Sequence, residues 1–210
     1  MLGAIAGDII GSVFEARNWN DKTPHKSKEF PMFDSQCRFT DDSTLTIALA
    51  DAILHHRDYA TVMREYYQRY PKAGFGKSFR VWAATPDAPA YNSWGNGSAM
   101  RISPVAYAFD SLEAVLVNAR RYSEPTHNHP EGIKGAQAVA SVIYLARKEA
   151  DKAELKRFVE GEFGYDLSRT LDEIRPNYVF NESCQQTVPE AITAFLEARD
   201  FEDTIRNAIS

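Results

Sequence analysis

Thr40, Asp41 and Asp42 stand just ahead of a run in which Leu45, Ala48, Leu49, Ala52 and Ile53 recur at helical spacing. Asp and Thr both accept hydrogen bonds from the unpaired amides of a first helical turn, so capping alone would explain them. A cap uses one acceptor, however, and Thr40 to Thr44 places five oxygen-bearing side chains in a row. Hard oxygen donors clustered in this way suit magnesium, manganese or calcium rather than zinc, although three ligands do not close a coordination sphere.

A second acidic feature lies upstream. The apolar stretch Leu2 to Ala16 reads as a helix in which Gly3, Gly7 and Gly11 recur every four residues. Each glycine costs a helix about 1 kcal/mol relative to Ala, so that face must admit the close approach of another helix or of a ligand. Asp8, Ser12 and Glu15 share one side of the same helix. A Glu at a helix end is ordinarily a solvated residue, whereas Glu15 at the end of a bare glycine face is a candidate active-site carboxylate.

Two polar segments supply further candidates. In NSWGNGSAMR, Asn96 and Gly97 suit a tight turn closing on Ser98 as an N-cap and equally a cradle whose amides approach a phosphate or ribose, and both can hold at once. In THNHPEGIKGA, His127, Asn128 and His129 precede a helix carrying Gly132. His-X-His with no third ligand nearby is a weak metal signal and fits hydrogen bonding to a polar ligand equally well. Phe79, Trp82, Tyr91 and Trp94 read as core or rim, one of them available to stack on a base.

These residues need a scaffold, and the periodicity predicts one made of helices. Further helices are expected over Tyr59 to Tyr70, Ser98 to Phe109, Ser111 to Tyr122, Pro130 to Glu149, Lys152 to Glu162, Pro189 to Ala198 and Phe201 to Ile209, with Pro130 and Pro189 in first turns. Asn18 to Phe39 reads as a long irregular loop, and Asp166 to Phe180 as a short helix or an extended piece. No alternating set long enough for a sheet occurs, so the class is all-α. With 210 residues and 44% hydrophobic content the chain can bury one sizeable core as a compact single domain. The 24 basic and 29 acidic residues give a net charge of −5 and no footprint for broad nucleic-acid binding. The apolar N-terminal run is interrupted by Asp8 and has no basic residue ahead of it, so neither a signal peptide nor a membrane span is expected. Cys37 and Cys184 lack CxxC spacing and read as reduced thiols of a cytoplasmic protein.

Taken in order, GAIAGDIIGSVFE, FTDDSTLT, WGNGSAMR, THNHPEGIKGA and SCQQTVPEAI make the chain resemble the ADP-ribosylglycohydrolase family over nearly its whole length. The resemblance implies an orthogonal all-helical bundle and two Mg2+ or Mn2+ ions. It also implies cleavage of the glycosidic bond between ADP-ribose and a modified acceptor. Carried onto this chain, it makes Thr40, Asp41 and Asp42 metal ligands and places Glu15 beside the scissile bond. Asn96, Gly97 and Ser98, with His127, Asn128, His129 and Gly132, would line the ADP-ribose cleft.

The family pattern also has a second acidic motif, Gly-Gly-Asp-Ser-Asp-Thr, which does not occur in these 210 residues. Asp203 and Thr204 form a similar pair, but they are expected to be surface residues of a helix whose apolar side is Phe201, Ile205 and Ala208. A domain incomplete at its C-terminus is therefore expected, along with a homodimer through an exposed C-terminal edge. An ADP-ribose-binding module without turnover is the competing expectation, and a metal phosphohydrolase cutting the diphosphate is a third.

Overall fold

The computed structural model describes the backbone of residues 1–21 and 25–210 and the side chains of residues 1–15 and 25–210. Twelve helices account for the regular structure of the described residues. They are α1 (Leu2–Asp21), α2 (Asp41–Leu54), α3 (Tyr59–Arg69), α4 (Lys77–Ala84), α5 (Gly97–Met100), α6 (Val105–Ala108), α7 (Leu112–Ser123), α8 (Pro130–Arg147), α9 (Lys152–Phe163), α10 (Leu171–Ile174), α11 (Cys184–Glu197) and α12 (Phe201–Ile209). The expected all-α class holds, and the one β-bridge among the described residues, Gly95 with Ser183, is isolated.

α8 organises the interior because it is buried on two sides. Ala136, Ala140 and Tyr144, four residues apart, face a core shared with α2, α3, α4, α6 and α7. Ala138 and Val142 face a second core built with α9 and α11. Small residues let neighbours come close on both sides. At Gly135 a Cβ would lie 2.5 Å from Cys184 Sγ, so α8 and α11 approach at a distance only glycine permits.

The glycine face of α1 has a divided use. α12 covers part of it, with Phe201 against Gly3 and Ile205 against Gly7, each 3.4 Å from where a Cβ would stand. Nothing lies within 4 Å of that position at Gly11. The same helix buries Ile10 and Phe14 against Phe30.

Several expected elements differ. α1 runs on to Asp21, so the long loop starts later than expected, and its residues 22–24 lie outside the described residues. The helix expected over Ser98 to Phe109 is two short ones, α5 and α6; Pro104 has no N–H to continue α5 and serves as the N-cap residue of α6. α11 begins at Cys184, which places Pro189 inside the helix rather than in its first turn. α4 was not expected: eight residues ending in Ala-Ala are too few to show a period, yet Phe79 and Trp82 are core. In α12 the inward residues are Asp203 and Asn207, while Phe201 is 52% exposed. No described helix is long and apolar enough to cross a membrane.

Candidate active site

The start of α2 is built by α1. Asp8 Oδ2 accepts hydrogen bonds from the Thr40 amide (2.9 Å), the Ser43 amide (3.1 Å) and Ser43 Oγ (2.5 Å), and Oδ1 accepts from Thr40 Oγ1 (2.5 Å). Thr40 caps the helix locally, accepting from the Asp42 amide at 3.4 Å. Capping is therefore carried by Thr40 and Asp8 together, which leaves the carboxylates of Asp41 and Asp42 to other work. Ser12 fixes the approach to the site, its hydroxyl accepting from the Arg38 amide at 3.1 Å.

Asp41 and Asp42 are half-buried, and among the described residues neither has a salt-bridge partner. Burial, then the negative charge of Glu15, pushes Asp41 up to about 7, with Asp8 adding to the rise and Arg101 opposing it. Asp42 is held well above the usual carboxylate range by burial first, then by Asp41, Asp8 and Glu15. Glu15 is raised in the same way, by desolvation and by Asp8, although its side chain reaches solvent. Uncompensated acids packed together are a costly arrangement that a bound cation relieves. Gly74 supports the site: its φ of +98° suits glycine, and a Cβ there would stand 3.4 Å from Asp41 Oδ1. No spacing in the sequence links residue 74 to residue 41.

Asp42 and Glu15 open onto a cleft of about 400 Å³ between α1, α10, α11 and α12, which Thr40 and Asp41 do not line. Of the expected site residues, Glu15, Asp42 and Asn96 line it, and Asp8, Gly11, Thr187 and Arg175 join them. Asn96 is oriented by α11, since its Nδ2 donates to Thr187 Oγ1 at 3.2 Å and its amide donates to the Glu182 carbonyl at 2.8 Å. The WGNGSAMR and SCQQT segments thus meet through hydrogen bonds between residues about 90 apart.

The remaining expected residues stand behind that wall. Ser98 is not a cap; it is fully buried, and its hydroxyl donates to the Gly132 carbonyl at 2.6 Å. Gly132 lets α8 pass beneath the Ser93 carbonyl, which a Cβ would meet at 2.6 Å. His129 caps α8, its Nδ1 accepting from the Glu131 amide at 3.1 Å. Asn128 braces the turn before Gly95, accepting from the Asn92 amide at 2.8 Å. His127 is buried with its Nε2 over the turn, 3.0 Å from where a Cβ on Gly97 would stand.

Asp203 departs from the expectation of a surface position. Its carboxylate is buried and held by Lys28 Nζ at 2.6 Å and by the Arg199 amide at 3.0 Å, which keeps it below the usual carboxylate range. It clamps the segment after residue 25 to α12 and does not line the cleft.

A family model described as ADP-ribosylglycohydrolase matches residues 1–210. The chain belongs to the ADP-ribosylglycohydrolase family. Among relatives, ADP-ribosylhydrolase ARH3 of Bos taurus is 26% identical, with 98% of this chain and 60% of that protein covered. Human ARH3 is also 26% identical, over 73% of this chain and 50% of the relative. ADP-ribosylarginine hydrolase Tri1 of Pseudomonas putida (strain GB-1) is 26% identical, over 73% and 47%. The chain therefore spans about half to three-fifths of the length of these relatives. A solved structure titled "ADP-ribosylglycohydrolase-related protein complex" has the same fold, with a TM-score of 0.71, 22% identity, and 99% of this chain and 77% of that one covered.

The donor set suits a hard divalent cation, since Thr40, Asp41 and Asp42 offer oxygen alone. Among the described residues no group of three His, Cys, Asp or Glu side chains is disposed to hold one ion.

Proposed function

We propose that this chain carries the α1–α2 half of the active site of a metal-dependent ADP-ribosylhydrolase, which hydrolyses the glycosidic bond between ADP-ribose and a modified acceptor. The observation that carries this reading is the release of Asp41 and Asp42 from capping by Asp8, with Asp42 lining a cleft together with Glu15 and Asn96. The names of the relatives, ADP-ribosylhydrolase and ADP-ribosylarginine hydrolase, support the same chemistry.

Thr40, Asp41 and Asp42 would hold Mg2+ or Mn2+. Such a cation, when bound, orients ribose hydroxyls and lowers the pKa of a bound water. Glycosidic cleavage passes through an oxocarbenium-like state, so carboxylates facing C1 stabilise the positive charge that develops. Glu15, held above the usual carboxylate range by desolvation and by Asp8, is placed to pass a proton to the leaving group, or to take one from water. Asn96, held by Thr187, orients the ribose, and the turn of Gly97 and Ser98 with His127 to Gly132 shapes the wall for the remainder of ADP-ribose.

The test is release of intact ADP-ribose from an ADP-ribosylated acceptor with Mg2+ present, and its loss in Asp41→Ala and Asp42→Ala. Release of AMP in its place would mean cleavage at the diphosphate and would overturn the glycosidic reading. Binding without turnover is favoured by one observation, the incomplete ligand set among the described residues. That reading predicts ADP-ribose binding by calorimetry with little dependence on metal.

Two further proposals concern setting. The unpaired Cys37 and Cys184 support a reducing, cytoplasmic location. Leu2 and Phe201, 84% and 52% exposed where α1 meets α12, support self-association through that edge; a monomer in sedimentation at high concentration would contradict it.

A further inference from the structure

A second cavity, of about 280 Å³, lies between α9, the segment that follows it and α11, and it shares no lining residue with the cleft. The chain leaves α9 at Gly164, whose φ of +64° ends the helix, and Leu167 then packs into the core that α9 and α11 share. Two contacts fix this segment against α11: Arg169 pairs with Glu190 at 2.6 Å, and Glu197 accepts from the Leu171 amide at 3.0 Å.

The walls of this cavity are cationic in a chain of net charge −5. Lys152 and Lys156, four residues apart on α9, line it together with Arg169, against Glu197 as the single lining acid. The acids near these cations, Glu160 and Glu190, are not part of the lining, and they leave most donors free. Lys156 stands 4.0 Å from Glu160, beyond hydrogen-bond reach. Arg169 gives one of its five N–H groups to Glu190, and Lys152 gives one of three to the Ala198 carbonyl.

Thr193 supplies an independent observation. It lines the same cavity, is 4% exposed, and its hydroxyl has no hydrogen-bond partner among the described residues. A helical threonine can return its proton to the carbonyl four residues back, as Thr187 does to Ser183 at 2.8 Å. A hydroxyl withdrawn from water with no such bond is costly unless a ligand oxygen meets it.

We infer that this cavity binds a phosphomonoester dianion, its oxygens met by Lys152, Lys156, Arg169 and the Thr193 hydroxyl and its organic part seated on Leu167 and Leu196. Three lining cations less one lining acid leave two positive charges, which match the charge of about −2 that such a group carries at neutral pH. Arg, Lys and hydroxyl groups are the donors that phosphate oxygens take. The apolar floor gives the organic part a place that a bare phosphate would not use. The site stands apart from the glycosidic reading and does not depend on it.

The experiment is titration of the 15N-labelled 210-residue chain with glycerol 3-phosphate at constant ionic strength, followed through its amide shifts. Saturable changes are expected over Lys152 to Lys156, Leu167 to Thr170 and Thr193 to Glu197, and none at Gly11, Glu15 or Asn96. Lys156→Gln, Arg169→Gln and Thr193→Val should each weaken binding about fivefold. Thr193→Val should melt no lower than the wild type, because it removes a hydroxyl without a partner. Inorganic phosphate and succinate should both bind more weakly than the ester. Changes confined to the cleft, changes reproduced by sodium chloride, or equal affinity in all three variants would overturn the inference. So would inorganic phosphate or succinate binding as tightly as the ester. A clear fall in melting temperature in Thr193→Val would show that the hydroxyl serves the protein's own packing, and would overturn it too.

Discussion

Asp8 receives both the amide and the hydroxyl of Ser43, at 3.1 and 2.5 Å, across a separation of 35 residues. One carboxylate on α1 thereby closes the N-terminus of α2 from outside and frees the acids that follow Thr40. If so, Asp8→Ala leaves two amides and two hydroxyls short of an acceptor, and should lower stability by about 2–4 kcal/mol. In a protein of this size the melting temperature falls by roughly 5–15 °C. Asp8→Asn, which keeps part of the acceptor capacity, should lie between. Thermal unfolding followed by circular dichroism checks the order.

Asp42 has the opposite character. Its charge sits among Asp41, Asp8 and Glu15 in a partly desolvated place, so Asp42→Asn should raise the stability of the metal-free chain at neutral pH, by about 0.5–2 kcal/mol. The gain should be read in urea, with chelator present, and should disappear when the wild type is compared with Mn2+ added.

His127 sets a pH dependence of known sign. Its folded pKa is depressed well below 6.5, so under mildly acidic conditions the unfolded chain binds a proton that the folded chain does not. Stability therefore falls as pH drops below about 6.5, with a slope from this group of up to about 1.4 kcal/mol per pH unit. Urea midpoints taken from pH 7.5 to 5 should show that slope in the wild type and less of it in His127→Gln. The comparison is between slopes, because the variant also changes packing.

Close contact between α8 and α11 makes Gly135 sensitive. In Gly135→Ala the new methyl meets Cys184 Sγ at 2.5 Å and should cost about 1–3 kcal/mol. Removing the sulfur in Gly135→Ala with Cys184→Ala should recover part of it, so the double variant is less destabilised than the sum of the two single ones.

The helical class and the ends of α2, α8 and α12 were legible because capping residues and apolar spacing are local signals. The glycine face of α1 was legible as a close approach: α12 covers Gly3 and Gly7, and the cleft opens at Gly11. What spacing could not show was which acceptor caps α2. The carboxylate that does so lies more than thirty residues upstream, and Asp8 reads locally as one member of an acidic stripe. The same limit hid Gly74 against Asp41 and the inward face of α12, where Asp203 and Asn207 are buried in polar partnerships while Phe201, set against Gly3, stays half exposed. Spacing within α12 reports its apolar side, and the groups that face it from Lys28 and Arg175 are set by the tertiary fold.

Titration of Mn2+ into the chain by calorimetry tests most directly whether Asp41 and Asp42 hold the cation. Binding to the wild type should weaken at least about tenfold in Asp41→Asn and Asp42→Asn, and should be unchanged in Asp203→Asn, whose carboxylate is engaged by Lys28 away from the cleft. Equal affinity in the wild type and in the Asp41 and Asp42 variants would contradict the assignment.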